Sequence, residues 1–318
     1  DTSVMCSPVT PPSPITNAVK VANSNTDACA LKSDGTVECW WDNSNGQWNI
    51  PSWLSNVIDI TVGSYHVCVL KSDNTVVCWW HNYAGQTDIP EDLRPITITS
   101  FVHEGANISL WADHTCVLRS WSALCSANND TIQNNVVQVA AGSMNTCNLR
   151  SDSTVDCSLL EVPLWLSSTT AVSVWDNHAC ALKSDGTVEC WWDNEYGKID
   201  VPPGLTWVVS ISLWSYHSCA LKSDKTVECW GDNRWNQSLV PWDLSGVMEV
   251  SAGSNFTCSL IQTGFVRCWG YNGNGQTNIP SWLSDVVSIS SWGRHTCALK
   301  SDSTMSCWWS NSYGQNNT

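Results

Sequence analysis

The sequence predicts an all-β protein: a β-propeller of seven to eight blades, assembled from eight Cys-hairpin repeats of about 39 residues. Three observations predict it. Sixteen of the 17 cysteines fall into eight close pairs. The first member of each pair returns at intervals of 39, 48, 31, 33, 39, 39 and 39 residues. Apolar residues alternate with the short period of strands, and no helical stripe is present. A fixed period of about 20–50 residues marks a repeat array, and units of roughly 40 residues with three to four strands are propeller blades.

The pairs are Cys29/Cys39, Cys68/Cys78, Cys116/Cys125, Cys147/Cys157, Cys180/Cys190, Cys219/Cys229, Cys258/Cys268 and Cys297/Cys307. Between Cys29 and Cys39, two apolar or β-branched runs flank Ser33-Asp34-Gly35. A three-residue hairpin loop wants a left-handed residue in its third place. Gly35, Asn74, Gly186 and Gly264 stand there, with Ser153, Lys225 and Ser303 as less comfortable occupants. Such a loop sets Cys29 opposite Cys39 at a non-hydrogen-bonded position, where side chains approach closest. In the shorter unit a two-residue loop, Ser120-Trp121, brings Cys116 opposite Cys125 in the same way. Both spacings predict a disulfide across each hairpin, each worth roughly 2–3 kcal/mol in the chain-entropy model. Disulfides imply an oxidising compartment, extracellular or at the cell surface; the alternative is eight reduced thiol pairs in a cytosolic propeller. Zinc is disfavoured because no Cys-x-x-Cys occurs. Cys6 has no partner in the pattern.

Composition sets the outer limits. Apolar residues make up 42%, enough for a core, and no apolar run is long enough to span a membrane. The net charge of −15 argues against nucleic acid, because phosphate neutralisation needs clustered Lys and Arg. Residues 1–17 are rich in Pro, Ser and Thr and read as a linker from an upstream segment, leaving 18–318 for the propeller. The chain is expected to be one domain of a larger exported protein.

The units are variants of a Gly-x-x-His-x-Cys-x-Leu element, complete in Gly63-Ser-Tyr-His66-Val-Cys68-Val-Leu70. A second element follows the outer cysteine, as in Cys268-Trp269-Gly270-Tyr-Asn272-Gly-Asn-Gly275-Gln276. This pattern resembles the RCC1-type repeat (regulator of chromosome condensation) over about residues 18–318. The 39-residue period is closer to bacterial secreted members of that family, among them a β-lactamase inhibitory protein. The resemblance implies seven blades, against eight hairpins here. After Cys125 and Cys157 the Trp-Gly half of the unit is largely missing, so seven blades plus a partial one and eight thin blades both satisfy the sequence.

The 22 tryptophans are unevenly placed. Trp40, Trp79, Trp191, Trp230, Trp269 and Trp308 directly follow the outer cysteine and read as blade core. Thirteen others stand where sister repeats carry glycine. Trp41, Trp80, Trp192 and Trp309 match Gly231 and Gly270. Trp111, Trp175, Trp214 and Trp292 match Gly63, Gly142 and Gly253. Trp53, Trp165 and Trp282 match Gly204, Trp207 matches Gly246, and Trp121 occupies a hairpin turn. Glycine serves where φ is positive or backbones touch, so the exchange is not conservative. Either these indoles form an exposed aromatic ring that stacks on sugars or a protein, or they come from UGA codons, which some bacteria read as glycine.

Five histidines share one slot: His66, His114, His178, His217 and His295. The expectation is a structural histidine that bonds backbone within its own blade, not a ring of metal ligands. Asp42-Asn43 and Asp193-Asn194 are read as turns, since the calcium-loop spacing is absent. The repeated Lys-Ser-Asp-Gly is turn chemistry, and neither a phosphate loop nor a nucleophile elbow occurs. No catalytic residue, cofactor or metal is therefore expected. The expected function is a secreted or cell-surface binding and adhesion module that recognises a protein or glycan through one propeller face. The irregular stretch 101–113, with His103, Glu104, Trp111 and Asp113, is the candidate binding loop. The family resemblance supplies the alternative, guanine-nucleotide exchange on a small GTPase inside the cell.

Overall fold

The computed structural model describes residues 16–23, 27–41, 49–63, 66–73, 75–80, 87, 107–111, 114–119, 122–125, 133–142, 145–158, 161–175 and 177–309. Within 107–134 only the backbone is described. Among the described residues the chain forms eight antiparallel sheets in sequence order, seven of three strands and one of four. Blade six shows the plan: an inner strand Val208–Trp214, a middle strand His217–Lys222 and an outer strand Val227–Gly231. The other inner strands are Ala18–Asn23, Val57–Val62, Asn107–Trp111, Val136–Ala141, Thr169–Trp175, Val247–Ala252 and Val286–Trp292. Each inner strand touches those of the blades before and after it, and the last touches the first. The circle is therefore closed and has eight members, which decides between the two blade counts the sequence allowed. Where the Trp-Gly half is missing, the outer strands Ser122–Cys125 and Val155–Cys157 simply stop at the cysteine.

Burial explains the strand patterns. Middle strands are covered on both sides and read as continuous runs, as in His178–Lys183, of which only the last residue is partly open. The six tryptophans that follow the outer cysteines are all buried, between 2% and 8% exposed, as expected of core. Trp230 packs between blades five and six with Leu182, Val188, Leu205, Val208 and Leu213. At the closure Ala18, Ala28, Ala30 and Trp40 of blade one pack on Cys297, Met305 and Cys307 of blade eight.

The hairpins behave as their loop chemistry predicts. The third loop residue is left-handed at Gly35, Ser153, Gly186, Lys225, Gly264 and Ser303, with φ between 63° and 78°. The carbonyl of that residue then accepts the first inner-strand N–H of the next blade. The pairs are Val57 to Gly35, Thr169 to Ser153, Val208 to Gly186, Val247 to Lys225, Val286 to Gly264 and, at the closure, Ala18 to Ser303, at 2.8–3.2 Å. One backbone conformation thus turns the hairpin and ties neighbouring blades. Within the turn, Asp34, Asp185, Asp224 and Asp302 each accept from the N–H and hydroxyl of the threonine two residues on.

Among the described residues, seven disulfides join middle to outer strands, with Cα atoms 4.0–4.1 Å apart. They are Cys29–Cys39, Cys68–Cys78, Cys147–Cys157, Cys180–Cys190, Cys219–Cys229, Cys258–Cys268 and Cys297–Cys307. The two members of a pair differ in burial. The middle-strand members Cys29, Cys68, Cys147, Cys180, Cys219, Cys258 and Cys297 are fully enclosed. On the outer strands Cys78, Cys157, Cys190, Cys229 and Cys268 are only partly buried. The reason is position in the sheet: the middle strand has a neighbour on each side, whereas the outer strand is the blade's edge. At Cys39 and Cys307 the outer member is buried too. Cys116 and Cys125 are opposite in register, and their sulfurs lie outside the described residues, as do Cys6 and residues 1–15 of the linker. Replacing Cys219 and Cys229 together by Ser is expected to lower unfolding free energy by roughly 2–3 kcal/mol. Urea denaturation of the oxidised protein measures this, and an unchanged midpoint would contradict it.

Candidate binding face

At one end of the ring the inner strand turns into the middle strand, and the outer strand leaves for the next blade. Two successive inter-blade loops, 193–198 and 232–237, are anchored there by one hydrogen-bonding scheme. His178 Nε2 contacts Ser218 Oγ of the next blade at 3.1 Å, and His217 Nε2 contacts Thr257 Oγ1 at 2.9 Å. Each hydroxyl gives its own proton to a loop carbonyl, Ser218 to Lys198 and Thr257 to Gln237. The imidazole nitrogen must then be the donor, so the neutral ring carries its proton on Nε2. The same carbonyls also accept the indole N–H of Trp230 and Trp269 at 2.9 and 3.0 Å. The repeated histidine reaches the hydroxyl of the next blade at His178 and His217, and His178 also bonds the backbone of Trp175 in its own blade, as expected. Phe256 holds this slot in blade seven, and the Thr296 hydroxyl of blade eight meets Cys258 Sγ and Ser291 Oγ instead.

Burial keeps these imidazoles uncharged. It lowers His178 to about 3, with Lys198 nearby adding to the effect, and lowers His217 to about 4 and His295 to about 3. Among the described residues no three His, Cys, Asp or Glu side chains form a metal-ligand group.

Lys198 occupies the slot of Gln237 and Gln276, and all three side chains are buried. Each glutamine accepts a loop N–H, from Trp235 or Asn274. A lysine has no acceptor, and its ammonium instead donates to Asp193 Oδ2 at 2.8 Å. That bond holds the Asp193 carboxyl below its usual range. Asp193 also accepts from Glu195 N–H, so this Asp-Asn pair is a turn, as the sequence suggests. Asp42-Asn43 lies outside the described residues.

The same two loops build an exposed patch. Tyr196, left-handed at φ 64°, is 42% exposed at the tip of the first loop. The Arg234 guanidinium of the second loop lies 4.1 Å from its ring centroid and is fixed by two bonds of 2.9 Å to the Asp232 carboxylate. Tyr216, from the inner turn of blade six, packs edge-on against Tyr196 at 5.4 Å. Tyr271 follows in blade seven, edge-on to Trp235. Tyrosine and arginine are among the residue types that dominate binding energy in protein interfaces.

The axis carries two more features. Trp175, Trp214 and Trp292 end their inner strands on the turn side and meet each other, with centroids 3.9–5.3 Å apart. Between blades seven, eight and one, a cavity of about 280 Å³ is lined by Lys20, Glu249, Ser288 and Ser290. Glu249 accepts the Ile289 N–H of the next blade, and burial raises its carboxyl.

Of the predicted binding loop, His103, Glu104 and Asp113 lie outside the described residues. Trp111 ends the inner strand of blade three, opposite His114 in register. The Tyr196–Arg234 patch is not evident from the sequence. Its visible signal is the aromatic Tyr196 before Gly197-Lys198, in a slot that is also aromatic at Trp235 and Tyr313.

A closed ring of eight short antiparallel sheets, stapled across its hairpins, is a repeat β-propeller. Residues 57–86, 208–237 and 249–276 match the Regulator of chromosome condensation (RCC1) repeat, and the fold is that of an RCC1-like propeller. No curated protein sequence matches the chain. Among solved structures it is similar to the entire ectodomain of the Physcomitrella patens receptor kinase CR4, at 22% identity and TM-score 0.60, over 93% of this chain and 74% of that one. It is similar to the CRINKLY WD40 ectodomain of the Arabidopsis thaliana receptor kinase ACR4, at 20% identity and TM-score 0.59, over 93% and 98%. Prp20p from Saccharomyces cerevisiae is similar at 15% identity and TM-score 0.57, over 87% and 81%.

The anchoring scheme makes stability depend on pH and on one ion pair. A histidine depressed by folding takes up its proton only when the chain unfolds, so its contribution is complete above about pH 6.5 and declines as pH falls towards 4 and 3. Each such histidine adds up to about 1.4 kcal/mol per pH unit in that window. His217→Phe, the residue blade seven uses, should flatten the stability–pH profile between pH 6.5 and 4; an unaltered slope would contradict the assignment. Asp193→Asn strands the Lys198 ammonium and should cost about 2–3 kcal/mol, less than a fully buried pair because Asp193 is partly open to water. Adding Lys198→Gln should restore stability, as read by thermal unfolding.

Proposed function

We propose that the chain is an exported or surface-displayed binding module that holds a protein or glycan partner on the turn face and performs no catalysis. The observation that carries this reading is the disulfide in every blade whose side chains are described, a device suited to oxidising surroundings. Two of the similar structures are receptor-kinase ectodomains, which supports the same setting for this ring. The Tyr196–Arg234–Tyr216 patch is the place on that face with interface chemistry: two aromatic rings and a guanidinium held in position before any partner arrives. The net charge of −15 favours a partner that is not a polyanion. No helix among the described residues is long and apolar enough to cross a membrane.

The test is to probe protein and glycan arrays with the oxidised chain, alongside fluorescent-GDP release from small GTPases. Saturable binding is expected, weakened at least about tenfold by Arg234→Ala combined with Tyr196→Ala, with GDP release unaccelerated. Acceleration of GDP release, with no array binding, would replace this reading by the intracellular exchange activity. Prp20p is described through its binding to Gsp1p and histones, which makes that outcome the natural competitor.

A further inference from the structure

We infer that the tryptophans standing in the glycine slots of the repeat are glycines in the protein its host makes, encoded by UGA codons that the host reads as glycine. Two positions carry the argument. At the end of the outer strand Gly231 and Gly270 have φ of 98° and 105°, and Trp192 in the same slot has φ of 107°. That region lies beyond the left-handed helical well and is rarely open to any residue with a Cβ. The space is closed as well: a Cβ on Gly231 would sit 2.6 Å from the Tyr216 carbonyl oxygen, and one on Gly270 2.7 Å from that of Asn255. The slot is built by backbone, since the residue after it donates to that same carbonyl, as Asp232 does to Tyr216 and Asp193 to Asn177. Softening it would break the loop anchor.

The second position precedes the inner strand. Its occupants are left-handed throughout: Asn17, Asn56, Asn135, Ser168, Trp207, Gly246 and Asp285, with φ between 58° and 69°. Asn, Asp, Ser and Gly are turn residues suited to this conformation. Trp207 alone is a bulky aromatic, and its indole gains nothing in return, standing 71% exposed.

The Pro-x-x-Leu slot agrees in a different way. Trp53, Trp165 and Trp282 stand 64–72% exposed at the place of Gly204, with no core to fill. By contrast, all six tryptophans after the outer cysteines are buried in the blades. Burial alone does not separate the classes, since Trp214 in a glycine slot is 6% exposed and Trp242 outside these slots is 96% exposed; the match to glycine in sister repeats does, and a reassigned codon produces that match. The inference has a consequence for the proposed face. Trp175, Trp214 and Trp292 plug the turn-side mouth of the axis, and with glycine at those positions the mouth is open to solvent and to a ligand.

The gene's codons and the mass of the native protein test this together. UGA is expected at positions 192 and 207 and at the other eleven glycine-type slots, with UGG at 40, 79, 191, 230, 269 and 308. Peptide mass spectrometry of the protein purified from its host should show glycine at 192 and 207. UGG at either position, or a native peptide carrying tryptophan there, overturns the inference. A physical readout is independent of the gene: Trp192→Gly with Trp207→Gly should raise Tm, while Trp191→Gly, one residue away, should lower it. If the double replacement lowers Tm, the slots are not glycine slots and the inference fails.

Discussion

Each blade depends on the covalent bond between its middle and outer strands. A sheet of three strands, five to seven residues each in the representative blade, buries too little to stand alone. The disulfide fixes the hairpin register, and with it the left-handed residue at the hairpin tip. That residue's carbonyl receives the next inner strand, so register inside one blade sets the position of its neighbour. Removing the bond loosens the hairpin and the tie together. The opposite end is held at the junctions of blades five, six and seven by a polar scheme instead, in which histidine, hydroxyl, loop carbonyl and indole join consecutive blades.

The division of labour has a functional side. The scaffold is repeated, while the inter-blade loops on the turn face vary around a fixed anchor. Lys198 shows how far the anchor bends: it keeps the carbonyl contacts of the glutamine slot and exchanges an acceptor for an ion pair with Asp193. On that anchored loop Tyr196 projects outward and is met by Arg234 from the next loop. A binding surface made this way is preorganised, because its side chains are already ordered by contacts within the ring.

Much of this is legible in the sequence, because cysteine spacing and turn chemistry are local. Hairpin register, left-handed loop positions and core tryptophans all follow from residues within one unit. The unequal burial of paired cysteines, such as Cys180 and Cys190, does not, since it depends on which strand ends up at the edge of the blade. The blade count is also hidden, because units three and four lack the Trp-Gly half; the fold shows that this half shapes the loop and is dispensable for the sheet. The hydroxyl partner of His217 is equally hidden, since Thr257 lies 40 residues away and only the packing of one repeat on the next brings them together. The left-handed slot before the inner strand is invisible as a class because its occupants, from Asn17 to Asp285, share a backbone conformation and no side-chain type. Trp207 becomes conspicuous only beside them.

Everything about the setting of this propeller rests on sulfur being oxidised. The decisive measurement is a thiol titration of the native protein, unfolded without reductant. The account predicts no free thiol beyond that of Cys6. Sixteen or more reactive thiols would contradict it, returning the ring to a reducing compartment and removing the basis for an exported binding module.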